Sequence, residues 1–196
     1  MKSFLPAEIR EIIDFDGSLT YQSQFLDKSI ESITEHIIWR NDPITMFGKT
    51  YPQPRLTAWY GDEGVEYSYS KIKMKASQWT PELYLIKSKL ESEINTTFNS
   101  VLINFYRDGL DHMSYHSDDE LELGINPTIA SLSFGETRIF HLKHKFKLDL
   151  EVIKLPVEHG SLIVMKDELQ HFWQHKISKT TKKIGPRLNL TFRKIY

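Results

Sequence analysis

The sequence predicts one mostly β domain, residues 1–196, in which two helices flank a jelly-roll core. Two observations support this fold class. Helical spacing of apolar residues is confined to two segments, both in the first half of the chain. After Ser100, short apolar or alternating runs follow one another, with glycines and a proline between them. A length of 196 residues suits one domain with a sizeable core, and no repeat or linker divides it.

The two helices are predicted from spacing and from one start signal. Residues 25–39 and residues 81–95 each place leucines and isoleucines three or four positions apart, so that they share one side of a helix. Thr80 followed by Pro81 is typical of a helix start, because threonine caps a free N–H group and proline lacks one. We expect both helices to pack outside one sheet.

Seven strands are predicted in the second half of the chain. They span residues 100–106, 128–134, 137–142, 150–155, 161–165, 171–177 and 187–194. Many short strands with turn signals between them favour an all-β sandwich or barrel. A jelly roll satisfies this pattern, because it pairs or closes most of its strand edges.

The last predicted strand alternates polar and apolar residues. Its polar members are Arg187, Asn189, Thr191 and Arg193. Side chains two positions apart point to the same face of a strand, so all four share one face. That face either lies in water at a sheet edge or lines the interior, where an unpaired buried arginine requires an anion. Asn104 and Tyr106 share a face of an earlier strand, either as a satisfied polar pair or as part of a site.

Three side chains have the spacing of a metal site. His116 and Asp118 stand two positions apart, so in an extended segment both point to the same side. Two histidines and one carboxylate are the protein ligands of non-haem Fe(II) oxygenases. His159, His171 and His175 compete for the third place, and His175 is favoured because it lies 12 residues before Arg187, about one hairpin away. A His-x-Asp triplet alone arises often by chance.

Composition restricts the kinds of metal site and the cellular compartment that we expect for this chain. The chain has no cysteine, which excludes disulfides, zinc–thiolate sites and iron–sulfur clusters. It has no apolar run long enough for a membrane span and no signal-peptide core at its start, so we expect an intracellular protein, cytoplasmic in a bacterium and nuclear in a eukaryote. The net charge is −1, but seven Lys or Arg and no acidic residue fall within residues 169–196. Such a strip is either a phosphate-binding face or a solvated surface.

Together these motifs resemble those of the AlkB family of Fe(II)- and 2-oxoglutarate-dependent dioxygenases, in particular its branch acting on double-stranded DNA. The resemblance covers residues 44–194. The matching stretches are Phe47-Gly-Lys, Pro54-Arg, Tyr60-Gly-Asp, Asn104-Phe-Tyr-Arg-Asp-Gly109, His116-Ser-Asp-Asp-Glu120, Ile129-Ala-Ser-Leu-Ser-Phe-Gly135, His159-Gly-Ser-Leu162, Trp173-Gln-His175 and Pro186-Arg-Leu-Asn-Leu-Thr-Phe-Arg193. The resemblance implies a nucleotide-recognition lid with hairpins over residues 44–80 and a jelly-roll catalytic core over residues 98–196.

The resemblance also implies roles for the residues of the core. His116, Asp118 and His175 are expected to bind Fe(II). The expected 2-oxoglutarate ligands are Arg187 at the distal carboxylate, Arg193 nearer the proximal carboxylate, and Asn104, Tyr106 and Asn189. With O2 as the second co-substrate, the expected reaction converts 2-oxoglutarate to succinate and CO2 and hydroxylates an N-methyl group, which leaves as formaldehyde.

The lid and the segment after the metal ligands imply a nucleic-acid substrate. By resemblance, Tyr67 and Tyr69 stack on a flipped base, and Asp119 and Glu120 face it, while Phe47 is the wedge that fills the gap in the duplex. We expect a monomer that acts on alkylated DNA, preferring double strands, with 1-methyladenine and 3-methylcytosine as substrates. The alternatives are the same chemistry on RNA or single-stranded DNA, or a metal- and nucleic-acid-binding module without turnover.

One departure from the family pattern concerns the metal ligands. Ser117 stands between them where a basic residue is common, so one phosphate or base contact is expected to be missing.

Overall fold

A computed structural model describes residues 8–41, 43–46, 49–51, 53–69 and 72–196. Its strands are β1 (Ile9–Ile13), β2 (Ser18–Gln22), β3 (Ile44–Met46), β4 (Lys49–Tyr51), β5 (Leu56–Gly61), β6 (Glu66–Tyr69), β7 (Ile72–Lys75), β8 (Ser77–Gln78), β9 (Ser100–Tyr106), β10 (Met113–His116), β11 (Ile129–Gly135), β12 (Arg138–His144), β13 (Ile153–Val157), β14 (Ser161–Lys166), β15 (Trp173–Ile177) and β16 (Arg187–Arg193). The α-helices are α1 (Ile30–Thr34), α2 (Pro81–Ile94) and α3 (Leu169–Phe172), and a 3₁₀ turn spans Leu121–Leu123.

Two sheets and two hairpins account for the strands. The larger sheet has the order β1-β2-β14-β11-β16-β9-β5-β8, and the smaller has the order β10-β15-β12-β13. The hairpins β3–β4 and β6–β7 stand apart from both sheets. This mostly β architecture confirms the predicted fold class. None of the helices in the described ranges combines the length and apolar character that a membrane-spanning helix needs.

Apolar residues on opposite faces of the larger sheet build two cores. On one face, Leu188, Leu190 and Phe192 of β16 pack with Leu83 and Leu90 of α2. The second core lies between the two sheets, since its members come from β2, β9, β11 and β14 of the larger sheet and from β12, β13 and β15 of the smaller one. Period-2 alternation therefore sends the apolar residues of β16 toward the helices and its polar residues toward the smaller sheet.

The helix predicted over residues 81–95 is confirmed as α2. The Thr80 side chain accepts a hydrogen bond from the Leu83 N–H at 3.2 Å, and Pro81 occupies the first turn. Asn95 ends the helix with φ 49°, a left-handed conformation that asparagine tolerates better than most residues.

The helix predicted over residues 25–39 is wrong in extent, because only Ile30–Thr34 is helical. Ser29 caps this short helix, accepting from the Ser32 N–H at 3.2 Å, and the Leu26 N–H instead donates to the Gly160 carbonyl at 3.1 Å. Residues at helical spacing are still buried against the first core. The pattern therefore predicted which residues are buried, but it overestimated the length of the helix.

The predicted strands are found with shifted ends, and two differences matter. The strand predicted over residues 171–177 begins only at Trp173, because the short helix α3 precedes it. The larger sheet also contains β1, β2 and β5 from the first half of the chain. β16 lies between β11 and β9 with all seven of its residues buried, so the edge-strand interpretation of this segment is wrong.

We predict that Leu190→Ala lowers the free energy of unfolding by about 2–5 kcal/mol, because the side chain is fully buried at the centre of the sheet and its loss leaves a cavity. Urea unfolding followed by circular dichroism measures this. Leu148→Ala is the matched control, since Leu148 is 81% exposed, and should change stability by less than about 0.5 kcal/mol. Equal effects of the two substitutions would contradict the assignment of β16 to the core.

Candidate metal centre and anion site

Strand pairing places two of the predicted metal ligands opposite each other. β10 and β15 are antiparallel neighbours, and His116 pairs with His175 across them. Their ring centroids lie 4.3 Å apart. Two residues 59 positions apart in the sequence are thus brought together by strand pairing.

Asp118 completes a cluster that could hold a metal ion. One ligand atom from each of His116, Asp118 and His175 lies within 4.8 Å of the others, and His116 Nε2 is 3.8 Å from Asp118 Oδ1. Asp118 and His175 are buried, while His116 is partly exposed. The site is therefore dry on one side and open on the other, as coordination by both protein and substrate requires.

The His116 ring is held in the tautomer that a metal ligand needs. Its Nδ1 lies 2.9 Å from the carbonyl oxygen of Ser114. A carbonyl only accepts hydrogen bonds, so Nδ1 carries the hydrogen and the lone pair of Nε2 remains available.

Asp118 is held in its ionised form. Burial alone raises the pKa of its carboxyl, but the charge of Arg193 and the adjacent histidines outweigh burial, and the pKa falls to about 2. Arg193 Nη2 donates to Asp118 Oδ1 at 2.7 Å. Asp118 is thus an anion at neutral pH.

His175 is held neutral. Burial lowers the pKa of its imidazole to about 3, and the neighbouring His116 and Arg193 act in the same direction. Its ring also stacks on Phe140 with centroids 5.0 Å apart. A neutral, fixed imidazole binds a cation without first releasing a proton.

The two histidines that competed with His175 serve other contacts. His171 Nε2 lies 2.6 Å from the Ile125 carbonyl oxygen. His159 Nδ1 accepts from the Gly135 N–H at 3.0 Å. Neither belongs to the cluster formed by the predicted triad.

Arg187 forms a buried cationic site at the other end of β16. Its Nη2 donates to Ser133 Oγ at 2.8 Å, and its guanidinium carbon lies 5.2 Å from the centroid of the Tyr106 ring. Nε and Nη1 are buried and have no hydrogen-bond partner among the described residues. Burial lowers the pKa of Arg187 to about 10, which leaves it charged at neutral pH. A buried cation with free donors fits a carboxylate, and a planar guanidinium can bind one through two hydrogen bonds.

The predicted amide ligands lie side by side but bond to the protein. Asn104 and Asn189 pair across β9 and β16. Asn189 Nδ2 donates to Ser131 Oγ at 2.8 Å and to the Leu132 carbonyl at 2.9 Å. Asn104 Oδ1 accepts from Arg55 Nε at 2.6 Å. Both amides therefore already fix the wall of the site.

The structure describes the side chains of only some of the residues that are expected to contact the base. Asp119 is exposed, with Lys145 Nζ at 3.5 Å from its Oδ2, and Glu120 is half-buried. Tyr67 and Tyr69 lie on β6, in the hairpin within the predicted lid, but their side chains are outside the described part of the structure. Phe47 lies outside the described residues.

Sequence reasoning missed the serines and the glutamine that support this site. Ser131 and Ser133 share one face of an otherwise apolar strand, a pattern that indicates a polar role. Gln170 is buried and accepts from the Asp118 N–H at 2.9 Å, yet nothing in its local sequence indicates this contact.

We predict that His175 makes stability fall with acid. The unfolded imidazole binds a proton near pH 6.5, whereas the native one does so only near its pKa of about 3, so the native state loses stability as pH falls below about 6.5. Between pH 7 and pH 5 this amounts to about 2 kcal/mol.

Urea unfolding at both pH values, for the wild type and for His175→Gln, isolates this contribution. The variant should show a smaller loss of stability on acidification. An identical loss in the two proteins would contradict a neutral buried His175.

Comparison with known proteins agrees with this geometry. Residues 18–193 match the family described as the 2OG-Fe(II) oxygenase superfamily. The alpha-ketoglutarate-dependent dioxygenase alkB homolog 3 of Mus musculus is 43% identical, covering 87% of this chain and 62% of the relative, so the chain spans about three fifths of that relative's length. The DNA oxidative demethylase ALKBH2 of Mus musculus is 36% identical, covering 86% of this chain and 73% of the relative. The solved structure of OsALKBH1 shares the fold, with a TM-score of 0.66 at 17% identity over 95% of this chain and 100% of that chain. The chain therefore belongs to the AlkB family within the 2OG-Fe(II) oxygenase superfamily.

Proposed function

We propose that the chain is an Fe(II)- and 2-oxoglutarate-dependent dioxygenase that demethylates N-alkylated bases in DNA. The observation that carries this proposal is on one face of β16. Arg193 at one end bonds to Asp118 of the metal cluster, and Arg187 at the other end presents buried donors that have no partner among the described residues. A metal cluster and an anion site on the same strand face suit one co-substrate that reaches both.

The side chains of the metal cluster and of the Arg187 site fit Fe(II) and 2-oxoglutarate, respectively. His116, Asp118 and His175 would hold Fe(II), which when bound supplies the redox chemistry and leaves coordination positions for 2-oxoglutarate and O2. Arg187 would grip the distal carboxylate, with Tyr106 packed against the guanidinium to fix its plane. Asn104 and Asn189 would shape the wall of this pocket while keeping their bonds to the protein.

Apart from binding these groups, the protein orients the proposed metal ligands and sets their protonation. Arg193 fixes the Asp118 carboxylate, and burial keeps His175 neutral, so the ligands need no rearrangement before binding. The dry inner wall excludes water from one side of the site, which favours reaction with the substrate over side reactions.

The names of the relatives and the acidic residues next to the metal cluster support a nucleic-acid substrate. Relatives 36–39% identical to the chain are named DNA oxidative demethylases. Asp119 and Glu120 follow the metal ligand directly, and carboxylates suit the cationic form of 1-methyladenine or 3-methylcytosine. A base within a duplex is out of reach, so the enzyme must flip it, a step that Tyr67, Tyr69 and Phe47 would assist. The proposed acting form is a monomer.

We predict that Asp118→Ala abolishes turnover, because the metal loses its anionic ligand. Release of succinate and formaldehyde from an oligonucleotide containing 1-methyladenine or 3-methylcytosine, with Fe(II) present, measures this. Asp149→Ala removes an exposed carboxylate and should leave turnover unchanged. Activity retained by Asp118→Ala would remove the proposed triad, and wild-type protein that binds iron without releasing either product would be a binding module.

We predict that Phe47→Ala reduces turnover on duplex DNA by about tenfold or more while sparing the same strand as a single strand. An apolar wedge offsets part of an unstacking cost of a few kcal/mol, and about 1.4 kcal/mol corresponds to tenfold. Matched single- and double-stranded methylated oligonucleotides provide the internal control. Unchanged duplex turnover would show that Phe47 is not a wedge, and a wild type that prefers single strands or RNA would overturn the duplex preference.

A further inference from the structure

A group of side-chain hydrogen bonds holds the segment that carries Asp118. Ser117 Oγ donates to the Trp173 carbonyl at 2.9 Å, and the Asp118 N–H donates to Gln170 Oε1 at 2.9 Å. We call these two bonds, with the four residues Ser117, Asp118, Gln170 and Trp173, the ligand clasp. They join the two residues that follow β10 to α3, through Gln170, and to the first residue of β15, Trp173.

The ligand clasp holds the backbone just beyond the end of β10. β10 ends at His116, and the pairing of His116 with His175 is the last one along this strand. Ser117 and Asp118 lie beyond that pairing, and in the described part of the chain no strand pairing includes the backbone from which the Asp118 carboxylate projects. The Arg193 bond fixes the carboxylate itself, and the clasp fixes the backbone behind it.

Gln170 is built into this position. It is 1% exposed, although glutamine is seldom fully buried, and its Nε2 lies 3.5 Å from Met165 Sδ. Because a backbone N–H only donates, the atom that faces Asp118 must be the amide oxygen. The Asp118 N–H therefore satisfies the buried amide oxygen of Gln170, and the amide in turn fixes that N–H.

A lysine strengthens the same connection. Lys145 Nζ donates to the Gln170 carbonyl at 2.8 Å and lies 3.5 Å from Asp119 Oδ2. The residue after the metal ligand is therefore also connected to Gln170.

We propose that Gln170 and Ser117 are positioning residues of the metal centre, which hold Asp118 at the place where it meets His116 and His175. This rests on the metal site of the proposed function. Groups that orient metal ligands typically contribute about 10- to 100-fold to metal affinity. Loss of the clasp should therefore weaken metal binding even in the absence of 2-oxoglutarate and substrate.

The test is titration of the metal-free protein with Co(II), which stands in for Fe(II) without oxidising in air. Gln170→Met keeps the length of the side chain and removes the acceptor, and Ser117→Ala removes the hydroxyl. Each should raise the Co(II) dissociation constant about tenfold or more. Gln174→Met makes the same chemical change on the face of β15 that points away from His175, and Ser117→Thr keeps the hydroxyl, so both should bind Co(II) like the wild type.

Thermal unfolding of the same metal-free variants separates positioning from stability. A purely structural role lowers the unfolding temperature of Gln170→Met or Ser117→Ala and leaves Co(II) affinity unchanged, which would overturn the proposal. If Gln170→Met does not fold, the pair Ser117→Ala and Ser117→Thr decides, and equal Co(II) affinities of that pair would overturn it. A wild type that binds no Co(II) would instead overturn the metal site itself and the clasp with it.

Discussion

The ion pair between Arg193 and Asp118 is the interaction on which the site depends. Arg193 belongs to the larger sheet, whereas Asp118 follows the first strand of the smaller sheet, so their 2.7 Å bond joins the two sheets across the interior. Both residues are buried, and removing one partner of such a pair leaves an uncompensated charge in a medium that solvates it poorly. The pair also keeps the Asp118 carboxylate ionised, because the charge of Arg193 counters the effect of burial on the Asp118 pKa.

Arg187 lies on the same strand as Arg193 but is not paired with a carboxylate of the described residues. It shares the inner face of β16 with Arg193, but its strong contacts are a neutral hydroxyl and an aromatic ring. Its pKa of about 10 keeps the guanidinium charged at neutral pH, and two of its nitrogens have no hydrogen-bond partner among the described residues. One strand thus carries an arginine whose charge the protein neutralises and another whose charge a co-substrate would neutralise. The difference between a structural and a ligand-binding arginine lies in the partners that the neighbouring strands supply.

Sequence alone predicted those parts of the molecule whose signals are local. Thr80 and Pro81 mark the start of α2, and the polar alternation of residues 187–193 predicts a strand whose polar side chains share one face. Whether that face meets water or the interior was left open by the pattern, and the structure buries it. The extent of α1 was not predictable from spacing, because Leu26 bonds to Gly160, more than 130 positions away. The position of β16 at the centre of the sheet likewise follows from strand pairing that no local pattern encodes. His175 was favoured correctly but for the wrong reason, because β15 and β16 lie in different sheets, and the pairing of His116 with His175 across β10 and β15 brings the two histidines together.

Ser117 shows how a departure from a family pattern is resolved by structure. From sequence, the loss of a basic residue between the ligands predicts a missing contact to phosphate or base. In the structure the Ser117 hydroxyl turns inward and donates to Trp173, two residues before His175. At this position the chain therefore has a contact between the two segments that carry Asp118 and His175.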